Sequence, residues 1–343
     1  MKINHFLNLH INFCTCRFLI TWFLLTFSAC LIYAIVVFGS LVNRKILPTN
    51  NVPKTIPYIT VPSEYDVFLE FFGSSSLINK TYTGSLQMTF EAKDLTQRLF
   101  FHRGPDIRIL NITLEDSNGT KSTPSAGAYD KNTDVQAYIP ISNLTKETTY
   151  KLEIGFEGTI GENPNGPLDL PYTSENNENK HSMVFGHSTT ASSGLRFLMP
   201  CLDSQDFPAL FNFNIRHPPD FRVISNFVGN VQQSPLYTTT IFNATFQTFS
   251  SSIVLALIDM NLTSQSIKQE DIMINKYFRK NVINTVSTDR VLQFMASKTS
   301  NIGKLDVLCL PQLSTINQAG ISFLNEEDVQ RENFDLGINN FKN

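Results

Sequence analysis

At 343 residues the chain is long enough for one or two folded domains with cores of their own. A formal net charge of -3, with no Lys/Arg stripe, excludes nucleic acid as an expected partner, because phosphate binding needs a concentrated basic footprint. Phenylalanine at 28 residues against one tryptophan, with frequent Asn and Thr, suits a β-rich extracellular fold better than a helical bundle.

Residues 1–17 read as a short cytoplasmic head. From Phe18 to Val42 runs a 25-residue stretch with no charged side chain. At about 1.5 Å per residue it reaches roughly 37 Å as a helix, enough to cross a hydrocarbon layer of about 30 Å. Thr21, Thr26 and Ser28 do not make the polar stripe of a core helix. Phe38-Gly39-Ser40 is a poor cleavage site for a secretory leader. The stretch therefore predicts a retained transmembrane signal anchor. Flanking charge does not orient it, since Lys2 and Arg17 face Arg44, Lys45 and Lys54 across the span. Glycosylation sequons do. Asn79, Asn111, Asn118, Asn143, Asn243 and Asn261 each open an Asn-x-Ser/Thr triplet, all beyond the anchor. The expected topology is a type II plasma-membrane protein with its C-terminal region outside.

Residues 43–56, with Pro48 and Pro53, read as a stalk. Period-2 alternation then marks half-buried strands: Tyr65-Val67-Leu69-Phe71, Leu86-Met88-Phe90, Tyr150-Leu152-Ile154-Phe156 and Phe211-Phe213-Ile215. Ile253 to Ile258 is continuously apolar, as for a strand covered on both faces. Asn163 to Pro167 and Thr173 to Lys180 read as turns. Residues 57–262 are thus expected to form an antiparallel β domain. After Leu262 the pattern changes: Val291, Leu292, Phe294 and Met295 predict a helix, Leu305 to Leu310 a strand, and 326–343 no regular structure. Residues 263–343 read as a second domain that starts and stops, its strand lacking the neighbours that would cover it. Cys14 and Cys16 sit beside the anchor and Cys30 within it. Cys201 and Cys309 stand alone further on, either paired or buried as free thiols.

Three segments resemble the aminopeptidase N family of membrane-bound zinc metallopeptidases. Pro57-Tyr58-Ile59-Thr60-Val61-Pro62-Ser63-Glu64-Tyr65-Asp66-Val67 is similar to the family's opening strand. Pro200-Cys201-Leu202-Asp203, with Phe207, Ala209, Phe211, Asn212, Ile215, His217 and Pro218, matches without gaps the family's Pro-Cys-Phe-Asp stretch ending in His-Pro. Lys304 to Pro311 is similar to the strand leading into the family's Gly-Ala-Met-Glu-Asn motif. The resemblance implies a mainly β protein: one transmembrane helix, an aminopeptidase N-like antiparallel β saddle, and the truncated start of a thermolysin-like α+β domain.

The family's chemistry needs a zinc on a His-Glu-x-x-His helix and anionic groups for the substrate amine. None of His5, His10, His102, His181, His187 and His217 is four residues from another, and the motif does not occur. The resemblance places the amine-binding Gln at Thr189, a nearby Glu at Ala191, and the Glu of Gly-Ala-Met-Glu-Asn at Asn317, or at Ala319 without a gap. No carboxylate stands at any of them. No catalytic or metal-binding residue and no cofactor is therefore expected, zinc being expected only in a full-length family member.

Rival readings of other residues are bland. His181 and His187 lack further ligands at metal spacing. Glu326, Glu327 and Asp328 read as a solvated turn, and Ser192 and Ser193 lack a nucleophile-elbow context. The leading expectation is a non-catalytic homologue whose partners are the membrane and either a peptide or a protein, a second copy of the chain included. The alternative is a truncated fragment of a zinc-dependent aminopeptidase.

Overall fold

The computed structural model describes residues 52–75, 77–161, 165–174, 176–185, 194–269, 271–279 and 303–327. The expected anchor, most of the stalk, the helix around residues 289–298, Thr189, Ala191, His187 and the tail from residue 328 lie outside them. Among the described residues no helix is long and apolar enough to cross a membrane.

The protein is mainly β. In chain order come β1 (Thr60–Ser74), β2 (Leu77–Ala92), β3 (Leu99–His102), β4 (Ile107–Glu115), β5 (Lys121–Ser122), β6 (Ser125–Asp130) and β7 (Val135–Ile139). Next are β8 (Thr148–Thr159), β9 (Leu168–Thr173), β10 (Asn179–Phe185), β11 (Leu210–His217), β12 (Phe221–Ser225), β13 (Gly229–Gln233) and β14 (Thr238–Phe242). The last are β15 (Leu255–Asp259), β16 (Thr263–Gln269), β17 (Ile272–Phe278), β18 (Lys304–Leu310), β19 (Ile316–Gln318) and β20 (Ile321–Asn325).

Among the described residues the strands build four sheets. The largest has the order β13-β14-β11-β1-β2-β8-β4-β5; the others are β12-β15-β10-β9, β16-β17-β18-β20-β19 and β3-β7-β6. All four alternating sequence patterns lie in strands of the largest sheet. Their apolar members are buried while Asp66, Gln87, Glu153 and Asn214 turn to the other face. Aromatic rings dominate the inner layer. Tyr65 stacks on Phe211 at 4.7 Å, and Phe71 reaches Phe185 of the four-stranded sheet at 4.8 Å. Gly84 makes room for this packing: a Cβ there would lie 2.3 Å from the Phe156 ring.

The run Ile253 to Ile258 behaves as its composition predicts. Leu255 and Leu257 face the main core, while Val254, Ala256 and Ile258 join a second cluster with Tyr277, Leu308, Leu310 and Phe323. The four-stranded sheet is thus a middle layer between the large sheet and the five-stranded one.

Two expectations need correction. The β domain of residues 57–262 is not wholly antiparallel: β1 pairs with β11 in parallel. A parallel pair needs a long crossover, and the chain between β1 and β11 supplies one. The strand at Leu305–Leu310 is not uncovered either. As β18 it has β17 on one side and β20 on the other, and all seven of its residues are buried. The stretch after Leu262 supplies these neighbours itself, so the reason to expect a second copy over this strand falls away.

Candidate functional site

The first two resembling segments meet in space. Tyr58 stacks on Phe207 at 5.8 Å, and the Tyr65 hydroxyl accepts a hydrogen bond from the Leu202 N–H at 3.1 Å. Asn212 of β11 donates through Nδ2 to Glu64 and Asp66 of β1, each at 2.9 Å, and accepts from the Ala244 N–H. The residues between Pro200 and Pro218 thereby form the packing seam beside the parallel pair.

Asp203 is the centre of that seam and is buried to 1% exposure. One carboxylate oxygen accepts from Arg196 Nε at 2.9 Å and from the N–H groups of Gly194 and Arg196. The other accepts from the Ser250 hydroxyl at 2.7 Å. Arg196 also donates to the carbonyls of Thr133 and Asp203. A buried carboxylate this fully satisfied clamps the chain at Gly194.

His102 completes the clamp. Its Nδ1 accepts from the Asp203 N–H at 3.0 Å, so the imidazole proton resides on Nε2. Burial, and then the charge of Arg196, lower its pKa to about 3. The unfolded chain holds that proton below about pH 6.5. Between about pH 6.5 and about pH 3 it binds one proton more than the folded chain, so stability falls with acidification by up to about 1.4 kcal/mol per pH unit. Urea midpoints are expected to drop from about pH 7 to about pH 5, and His102→Gln to flatten the drop.

His217 is equally structural. Its Nδ1 donates to the Pro218 carbonyl at 2.9 Å and its Nε2 accepts from the Thr240 hydroxyl at 3.0 Å, while burial lowers its pKa. His181 pairs with Asp169 at 2.8 Å. Among the described residues no three His, Cys, Asp or Glu side chains group at metal-holding range. Cys201 and Cys309 are free and buried. Burial raises both thiols, Cys309 to about 12, so neither is a ready nucleophile. Glu326, expected in a solvated turn, is instead buried and paired with Arg279.

The third resembling segment lies at the junction of the middle layer and the five-stranded sheet. Lys304 Nζ donates to the Ser225 carbonyl and to Asp306, each at 2.5 Å, and Asp306 accepts from Asn275 at 2.8 Å. Asn226 bridges alongside, donating to the Ala319 carbonyl and accepting from the Val254 N–H. Asn317 sits next to this bridge in β19, partly exposed, and its Oδ1 accepts from the Ser322 hydroxyl at 2.7 Å. Of the three positions that the resemblance assigns to the substrate amine, only Asn317 is among the described residues, and its side chain is a neutral amide.

The open face of the large sheet carries a trough of roughly 580 Å³. Strand register lines up Asn111, Gly155, Ser85, Phe68, Asn214 and Ile241 across it as one row. Beside that row lie Glu153, Gln87, Asp66 and Asn212, with Asn243 at the far end. Pattern reading places these residues on the open face strand by strand; only the register brings them together.

The sequence profile of the Peptidase M1 N-terminal domain matches residues 61–254, more than half of the chain. The chain belongs to this family. The chain is 25% identical over 234 residues to the aminopeptidase N of Oryctolagus cuniculus, covering 64% of this chain and 23% of the rabbit protein. It is 33% identical over 135 residues to "Putative aminopeptidase-2" of Caenorhabditis elegans, covering 38% of this chain and 7% of that protein. The chain thus spans under a quarter of the length of these relatives. The M1 match takes in the Asp203 clamp and the parallel β1–β11 pair, and it ends before β18 and Asn317.

Proposed function

We propose that this chain is a membrane-anchored, non-catalytic aminopeptidase N homologue that binds a peptide or a partner protein through its extracellular β domain. Asn317 carries the reading. The residues that hold the fold together keep the family pattern, while the position expected to pair with a substrate ammonium holds a neutral amide bonded to Ser322. An amide offers no charge to select a free N-terminus. Thr189 and Ala191 change the remaining amine positions in the same sense.

The six sequon asparagines are all exposed, which agrees with an outer location reached through the Phe18–Val42 anchor in type II orientation. In this reading the described sheets up to about Leu262 are the saddle of the M1 N-terminal domain. The five-stranded sheet is then the opening of the thermolysin-like domain, and no cofactor is bound.

The test is hydrolysis of aminoacyl-naphthylamides by the purified outer region with and without added zinc. No zinc-dependent release above buffer is expected; release that chelation abolishes would overturn the proposal. A second reading is a piece of a longer zinc-dependent aminopeptidase. It is supported by a sheet that continues with all of β18 buried beyond the M1 match at residue 254. Restoring the carboxylate by Asn317→Glu within a longer product should then raise aminopeptidase turnover, whereas a non-catalytic homologue stays inert.

A further inference from the structure

The trough on the open sheet face ends at two of the six sequons, Asn111 and Asn243. Asn111 sits at a bulge in β4, opposite Gly155 of β8. Its Oδ1 accepts from the Gly155 N–H at 3.1 Å, which leaves Nδ2, the atom a glycan is attached to, as the free arm of the amide. A Cβ on residue 155 would lie 2.7 Å from that nitrogen, so only glycine lets the amide lie flat across β8.

From Asn111 the row runs over two small residues, Gly155 and Ser85, to the half-buried ring of Phe68, three strand spacings or about 14 Å away. Amides and carboxylates flank it at Gln87, Asp66 and Asn214, no Lys or Arg is among its lining residues, and the Arg216 guanidinium lies over the Phe68 ring at 5.4 Å from its centroid. Small floor residues, an aromatic face for the apolar side of a sugar ring, and neutral and anionic acceptors for hydroxyls make a carbohydrate-binding surface. A glycan attached at either end is a ligand at high effective concentration, and Asn111 is the end from which small residues lead to Phe68.

We infer that the Asn111-linked glycan lies along this trough with its inner sugars over Gly155 and Ser85 and against Phe68. It covers the open face of the sheet. The inference rests on the outer, glycosylated location proposed above. A seated glycan is sheltered from processing enzymes, whereas those on the exposed loop residues Asn118 and Asn143 are not.

The test is site-by-site glycopeptide mass spectrometry of the full chain made in mammalian secretory cells, with Phe68→Ala, Phe68→Tyr and Gln87→Ala. Asn111 is expected to keep oligomannose chains while Asn118 and Asn143 carry processed ones. Phe68→Ala and Gln87→Ala should lose that protection at Asn111 alone, and Phe68→Tyr should retain it. Processing at Asn111 equal to that at Asn118, or unchanged by Phe68→Ala and Gln87→Ala together, overturns the seating. A bare Asn111 beside occupied sequons overturns it too, while leaving the outer location standing. Six bare sequons overturn the outer location and the seating with it.

Discussion

Replacing Asp203 with alanine is expected to cost about 3–5 kcal/mol of folding stability, the range for removing one partner of a buried, hydrogen-bonded charge pair. The carboxylate receives hydrogen bonds from Arg196 Nε, two backbone N–H groups and the Ser250 hydroxyl. Alanine orphans all four donors, and the Arg196 side chain keeps only its carbonyl partners while 13% exposed. The substitution Asp203→Asn keeps the shape but removes the charge, with an expected loss of about 1.5–3 kcal/mol. Urea denaturation gives the magnitude. Native-state hydrogen exchange gives the place, because Gly194 and Arg196 amides should lose protection before those of β8. A midpoint within 0.5 kcal/mol of wild type, roughly the scatter of surface substitutions, would show that the clamp is not formed in solution.

The second large effect is at the junction between sheets. Lys304→Met leaves Asp306 buried at 4% exposure without its cation, at an expected cost of about 3–5 kcal/mol. For a domain of this size that lowers the thermal midpoint by on the order of 10 °C. The double variant Lys304→Met with Asp306→Leu should recover most of the loss, since two apolar side chains of similar volume need no partner. Asn275 then loses its acceptor and Ser225 its donor, so recovery is incomplete. Calorimetry on the three chains checks this. A double variant no better than Lys304→Met would show that packing, not the unpaired charge, is what fails.

Both predictions fall on residues whose sequence context carried only part of their meaning. Asp203 stands out in Pro200-Cys201-Leu202-Asp203 as part of a pattern, yet nothing in the pattern shows a carboxylate gathering donors from residues 194, 196 and 250. Lys304 and Asp306 stand in the segment read as a strand from Leu305 to Leu310, with no sign there of a partner for either charge. Burial turned them into a paired charge beneath Ser225. Glu326 changed in the same way, from a solvated turn residue to the partner of Arg279. Polar side chains are assigned to solvent by composition, and only packing reveals which have been taken out of it with partners.

The sequence by itself determined which face of each patterned strand is inward, since period 2 follows from backbone geometry. It also determined that Ile253 to Ile258 is covered twice, since apolar residues on both parities have no solvent side. The M1 kinship was legible there too. Tertiary structure alone decided the partners: the parallel β1–β11 pair, β18 between β17 and β20, the free thiols of Cys201 and Cys309, and the row from Asn111 to Ile241. Alternation states a face and not a neighbour, and these neighbours are joined through contacts far apart along the chain. Register between such strands is set by how the inner aromatic faces interlock, which no local pattern contains.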